Sequence, residues 1–278
     1  MNILELIRKT TDFFEKKAVE SPRLQIESLL SHHLRLKRME LYLQFERVLS
    51  EGEMAPLREM VRRRAEGVPL QHLTGLASFY GMDFGVSPAV LIPRPETESL
   101  VEAALKQNEI TPFRRVVDVG TGSGIIALTL ARHWPEAEIL AVDISPSALA
   151  VAGQNAERLG LAGRVRFVEG HLLSPAQGPF DLVISNPPYI ASEVIPGLSR
   201  EVRHDPLLAL DGGPDGLDLI RELVSGACEK LGPGGWLMFE MGSDQGARVG
   251  KILETAGFSE IRIQPDLAGL DRVAIGRR

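Results

Sequence analysis

The 278-residue chain holds one cysteine, Cys228, so it can form no disulfide within itself and no cysteine-rich metal cluster. A single thiol is what a reducing cytoplasm permits, and a cytoplasmic protein is expected. A basic excess is missing too. Against 31 Lys and Arg stand 37 Asp and Glu, a formal charge of −6, so no global positive field grips a nucleic acid by its phosphates. No apolar run approaches the roughly 18 residues that suggest a membrane span. The first residues, Met1-Asn2-Ile3-Leu4-Glu5-Leu6, carry an early acid and lack the basic-then-apolar order of a secretion signal. No internal repeat or low-complexity segment stands out. What is present is ordinary for a soluble globular protein: 44% apolar and 24% charged residues, at a length that suits one large domain plus a small one.

Residues 1–85 read as mostly helical. Leu4, Ile7, Phe13 and Phe14, then Leu24, Leu29, Leu30 and Leu34, recur at spacings that draw a helical stripe. Ser21-Pro22 predicts a helix start, with the serine capping and the proline at the first helical position. A further helix is predicted from Met54 to Ala65, ending near Gly67 and Pro69. By count, residues 1–85 hold 13 Lys/Arg and 12 Asp/Glu, and residues 86–278 hold 18 and 25, so the acidity belongs to the C-terminal part. A β-like connector runs to about residue 113 and contains Pro93-Arg94-Pro95-Glu96. Its two prolines leave Arg94 and Glu96 on a stiff backbone, which a solvated linker would not need.

From residue 114 to 278, strand and helix patterns alternate. Strands are expected at Val116–Val119, Glu138–Val142, Val165–Val168, Leu182–Ser185 and Trp236–Glu240, and closing strands at Ile261–Gln264 and Arg272–Ile275. Helices are expected at Ile125–Arg132, Pro146–Leu159, Gly216–Leu231 and Gln245–Ala256. Such alternation builds an α/β fold, a mostly parallel sheet with helices on both faces. In such folds ligands sit beyond the carboxyl ends of the strands.

Asp118-Val119-Gly120-Thr121-Gly122-Ser123-Gly124 lies between the first of these strands and its helix. Three glycines in five residues let the backbone turn sharply and approach a ligand closely. The spacing is G-x-G-x-G, not the G-x-G-x-x-G of a dinucleotide site. Asp118 is an acid that a pyrophosphate would not welcome and a cationic ligand tolerates. Asp143 ends the second strand, where a carboxylate can accept both hydroxyl hydrogens of a ribose. Together these suit an adenosine ligand without phosphates. The segment resembles the class I methyltransferases, a Rossmann-like fold with a seven-stranded mostly parallel sheet. The cofactor implied is S-adenosylmethionine, leaving as S-adenosylhomocysteine, held by Gly120, Thr121, Gly122, Ser123, Gly124, Asp143, Leu172 and Asn186. His171 stands where the related enzymes usually carry an aspartate, leaving the neighbouring backbone and the flank of Leu172 to hold the base.

The fourth strand runs into Asn186-Pro187-Pro188-Tyr189. An amide or aromatic amine nitrogen has a delocalised lone pair and is a poor nucleophile. The Asn186 side-chain oxygen and the Pro187 carbonyl can accept its two N–H bonds and turn the lone pair toward a methyl group. The prolines hold the acceptors in place, and Tyr189 can stack on the planar group. Proximity and alignment then carry most of the barrier reduction, with neither metal nor covalent nucleophile required.

The tetrapeptide serves both adenine-N6 DNA methyltransferases and glutamine methyltransferases. The negative charge and the lack of a basic target-reading domain after the core favour the second. The whole chain resembles the release-factor glutamine methyltransferases (the HemK/PrmC family). The resemblance is carried by Gly67-Val68-Pro69-Leu70-Gln71-His72-Leu73-Thr74-Gly75, Val90–Glu98, the glycine loop, Asn186–Ile190, Pro206–Leu217, Phe239-Glu240-Met241-Gly242 and Asp266–Arg272. It implies methyl transfer to the glutamine side chain (N5) of a Gly-Gly-Gln tripeptide in class 1 release factors, with the helical domain docking that protein. Ribosomal-protein glutamine methyltransferases typically replace the Pro-Glu-Thr-Glu of the connector. No stable nucleic-acid or membrane partner is expected, and a monomer is. Arg62-Arg63-Arg64 reads as a solvated helix face. His32, His33 and His204 lack a second ligand at metal spacing and read as structural or exposed. Met238 and Met241 read as core.

Overall fold

In the computed structural model, which describes all 278 residues, Asn2 and Glu5 close a capping box at the start of α1 (Ile3–Lys16). The Asn2 side chain accepts the Glu5 N–H at 2.8 Å, and the Glu5 carboxylate accepts the Asn2 N–H at 3.3 Å. Helix α1 then buries Ile3, Leu6, Ile7 and Phe14 on one face. They form one core with Ile26, Leu29 and Leu30 of α2 (Pro22–Leu34), Leu41 of α3 (Arg38–Leu43) and Met54 and Leu57 of α4 (Glu51–Ala65). The short α5 (Leu70–Thr74) ends at Gly75.

Two helix starts differ from the sequence expectation. Ser21 does not cap α2: its backbone is left-handed (φ 48°) and its side chain makes no capping bond, so Pro22 alone marks the start. Helix α4 begins at Glu51, not Met54, because Ser50 and Glu53 form a second capping box.

Two charged groups are buried in this helical unit. Burial alone would push the Glu27 carboxyl up, but hydrogen bonds from Arg23, Arg38 and Tyr42 outweigh it and hold the group below its usual range. Arg64 departs from the solvated face expected of the arginine run. It is 2% exposed and donates to the Gln25 side chain, the Val68 carbonyl and Glu201. Arg62 keeps to the expectation, exposed and paired with Glu59 and Glu66.

Glu201 reaches Arg64 because the chain divides unexpectedly. One compact unit comprises Met1–Leu76 together with Ser199–His204, and the other comprises Ala77–Leu198 with Asp205–Arg278. The hairpin of β1 (Leu76–Phe79) and β2 (Met82–Gly85) thus falls, from Ala77 on, in the second unit. So does α6 (Thr97–Ile110), a helix in the stretch read as a connector.

The second unit is built on seven strands: β3 (Arg115–Val119), β4 (Glu138–Asp143), β5 (Val165–Glu169), β6 (Phe180–Ser185), β7 (Leu231–Glu240), β8 (Ser259–Pro265) and β9 (Asp271–Arg277). Their order is β5-β4-β3-β6-β7-β9-β8, with β9 antiparallel to both its neighbours and the other pairings parallel. Helices α7 (Ile125–His133) and α8 (Pro146–Arg158) join α6 on one face, and α9 (Asp218–Lys230) and α10 (Gly246–Thr255) cover the other. Side chains alternate between these two cores along β3, where Val116 enters one and Val117 the other. Met238 and Met241 are fully buried. The chain leaves β3 toward β4 on one side and continues from β6 to β7 on the other. The switch in strand order therefore lies between β3 and β6, which pair Val119 with Ser185 at their carboxyl ends.

Candidate active site

The loops after β3 and β6 meet at this switch. The Ser185 hydroxyl donates to the Val119 carbonyl at 2.7 Å and locks the two strand ends together. Gly120 follows one end and Asn186 the other, and a Cβ built on Gly120 would stand 4.0 Å from the Asn186 carbonyl oxygen.

Gly120 and Thr121 both donate their N–H to the Val142 carbonyl, which folds the glycine loop back over β4. Gly124, with φ of 84°, is the N-cap of α7, and any larger residue there would press on Leu128 and Ala152. The Asp143 carboxylate accepts the Gly122 N–H at 2.8 Å on one oxygen and the Ser145 N–H at 2.9 Å on the other. Each oxygen keeps a lone pair for a further donor. Asn155 of α8, which no sequence pattern marks, is 1% exposed. It joins the Ser123 carbonyl (2.8 Å) to both backbone groups of Gly85.

One cavity opens along these loops. Its wall includes Gly120, Thr121, Gly122, Ser123, Asp143, His171, Leu172, Asn186, Pro188 and Arg94, together with Thr97 and the apolar Val90, Ile126 and Leu208. Gly124 and Asp118 lie behind this wall, and the side chains of Pro187, Tyr189 and Glu96 are not on it. Leu172 has a left-handed φ of 46°, a conformation that is costly for a leucine and typical of functional positions. His171 is exposed and contacts Glu222 of α9 at 2.9 Å. Arg94 is engaged by the buried carboxylate of Asp205, which also accepts the Ile92 N–H at 3.2 Å. Glu96 is exposed at the start of α6. No lysine lines the cavity and its one arginine is already paired. The wall therefore suits a nucleoside with vicinal hydroxyls better than a phosphorylated one.

Asp118 lies beneath the glycine loop, fully buried. One carboxylate oxygen accepts the Thr121 hydroxyl (2.6 Å) and the Ala127 N–H (3.2 Å); the other has no protein partner. Burial pushes the group up to about 7, against the pull of those two hydrogen bonds.

The tetrapeptide loop is held from behind. The Gln245 side chain donates to the carbonyls of Tyr189 and Gly216, and Gly212 donates to that of Ile190. Gly216, at φ 74°, fits only because it has no side chain: a Cβ would collide with the Tyr189 carbonyl oxygen. In front of the loop, Asn186 donates through Nδ2 to the Thr97 hydroxyl at 3.0 Å, and Thr97 donates to Glu240 at 2.6 Å. The Tyr189 hydroxyl donates to the other Glu240 oxygen at 2.9 Å. Burial raises both Glu240 and Tyr189 above their usual ranges. Thr97 and Glu240 lie within the familial segments, and nothing local to either marks it as functional. No group of three or more His, Cys, Asp or Glu side chains converges as a metal ion would require.

Comparison with known proteins places this site in context. The family profile described as PrmC N-terminal domain matches residues 5–75, and the one described as methyltransferase small domain matches residues 96–198. The chain is 46% identical to the release factor glutamine methyltransferase of Moorella thermoacetica over 94% of its own length and 93% of that protein's. It is 45% identical to that of Geobacter sulfurreducens over 98% and 96%. Among solved structures, a methyltransferase from Pyrococcus furiosus superposes with a TM-score of 0.53 at 18% identity, covering 72% of this chain and 90% of that one. The T. Thermophilus 16S rRNA N2 G1207 methyltransferase, solved with AdoMet and guanosine, gives 0.53 at 18% identity over 73% and 49%. At such identities these structures share the fold alone.

Proposed function

The chain belongs to the release factor glutamine methyltransferase family, and from that premise we propose that it methylates the side-chain amide nitrogen of the glutamine in a Gly-Gly-Gln tripeptide of class 1 release factors, acting as a monomer in the cytoplasm. It is a methyltransferase with the class I fold. The observation that carries the substrate reading is the full-length identity of 45–46% to the two bacterial enzymes, coupled to an Asn186 whose amide is fixed at the cavity wall.

The cofactor proposed is S-adenosylmethionine, and the residues present fit it. Asp143 has lone pairs left for the ribose hydroxyls, and the glycine loop gives bare backbone against the ligand. Leu172, on the cavity wall, would flank the adenine with its side chain and backbone. When bound, the cofactor would supply an activated sulfonium methyl and leave as S-adenosylhomocysteine, its sulfur retaining the C–S bonding pair.

The chain's own part is positioning. The Asn186 side-chain oxygen and the Pro187 carbonyl accept the two N–H bonds of the carboxamide, directing the nitrogen lone pair at the methyl carbon. The nitrogen gives one proton to solvent as the N–C bond forms. Pro187 and Pro188 restrict the loop so that the acceptors need no reorganisation.

The test is transfer of labelled methyl from S-adenosylmethionine to three substrates: a purified release factor, its tripeptide Gln→Ala variant, and DNA. Label on the wild-type factor alone is expected. Label on DNA would overturn the substrate, and label on both forms of the factor would overturn the acceptor.

A further inference from the structure

The orientation of the Asn186 amide is set by proton counting along a buried chain of hydrogen bonds. A threonine hydroxyl has one proton to give. Thr97 gives it to Glu240 at 2.6 Å, so its oxygen can only accept from Asn186, 3.0 Å away. The group that Asn186 turns toward Thr97 must then be its NH2, which leaves the carbonyl oxygen for the cavity. In its ionised form the Glu240 carboxylate also accepts the Tyr189 hydroxyl on its other oxygen, at 2.9 Å, and so accepts on both sides. Thr97 and Glu240 are 0% and 1% exposed, and these bonds lie in surroundings of low dielectric.

We infer that Thr97 and Glu240 are positioning residues that fix which end of the Asn186 amide faces the substrate, and so make the site an acceptor of N–H donors. This rests on the reading of Asn186 as the amide-binding group. With the chain intact, the cavity offers an oxygen to an N–H. With the order reversed, it offers an NH2 to another NH2, donor against donor. The same chain anchors Tyr189 through its hydroxyl, so the two ends of the tetrapeptide loop hang on one carboxylate.

Thr97→Val keeps the shape and removes the hydroxyl. Its kcat on a release factor is expected to fall on the order of a hundredfold, the cost of a misplaced reacting group. The dissociation constant for S-adenosylmethionine, read by calorimetry, should stay within about twofold, since the ribose and glycine-loop contacts are untouched. Thr97→Ser should recover most of the lost kcat, because it restores the relay and not the methyl packing. Glu240→Gln is the second variant. A Gln amide that turns its NH2 to Thr97 sends the threonine proton to Asn186 and reverses the order, so kcat should fall with cofactor affinity kept.

Wild-type turnover in Thr97→Val would overturn the inference while leaving the proposed function standing. So would a loss of cofactor affinity that matches the loss of kcat, since Thr97 would then act on the cofactor. Absence of transfer by the wild-type enzyme would instead overturn the proposed function, and the inference with it.

Discussion

Asp143 holds its carboxylate in place with two backbone N–H groups, from Gly122 and Ser145, before any ligand arrives. Asp143→Ala removes the acceptors proposed for the ribose and should weaken S-adenosylmethionine binding by about 1–3 kcal/mol, the range for charge-assisted hydrogen bonds; titration calorimetry measures it, and an unchanged affinity removes Asp143 from the site. Asn186→Ala should do the reverse, abolishing turnover with cofactor affinity largely kept. Both residues stand out in the sequence because each sits beside a recognisable turn, and both line the same cavity. Thr97, Asn155 and Asp205 were not. Their partners lie 143, 70 and 111 positions away along the chain, and no local pattern announces a bond of that span.

At the scale of elements, the strand and helix alternation after residue 114 carried the sheet. A buried parallel strand reads as an apolar run, and the helical patterns fall between such runs. Ends were less legible: β7 starts at Leu231, five residues before the expected Trp236, because Gly232, Pro233, Gly234 and Gly235 mask its onset. Helix α6 was hidden in the same way by the prolines preceding it, which made the whole stretch read as extended. The segment behind the tetrapeptide loop offers a test of how far an element's shape governs the chemistry. Gly216→Ala puts a methyl against the Tyr189 carbonyl at a left-handed φ, a strain of about 1–3 kcal/mol. Single-turnover methyl transfer should slow, with cofactor affinity close to wild type; an unaffected rate would show that the loop moves freely.

For the whole molecule, the buried acids make stability depend on pH with an unusual sign. Asp118 titrates near 3.8 when unexposed surroundings are absent and near 7 in the fold, where burial is the main cause. The native state therefore keeps a proton that the unfolded chain has released. The stability tied to that proton is complete below 3.8 and is lost as pH rises through about 7. At about 1.4 kcal/mol per unit, the loss reaches roughly 4 kcal/mol at most, and Glu240, also raised, acts in the same direction. Asp118→Asn cannot titrate. Measured by denaturant unfolding without cofactor, its stability relative to wild type should be higher at pH 8 than at pH 5. A difference independent of pH would place the Asp118 titration elsewhere.

The six residues Ser199–His204 carry a consequence for inheritance. They fold with the first 76 residues, where Glu201 meets Arg64 and Arg200 lies against Gly67, although they are encoded far downstream, inside the catalytic half. A recombination event at the Leu76–Ala77 junction would transfer Arg64 and Gly67 and leave their partners behind. The helical unit is therefore not a cassette that a genome can shuffle in one cut. A chimera of two relatives should inherit its native fit only when both stretches come from the same parent.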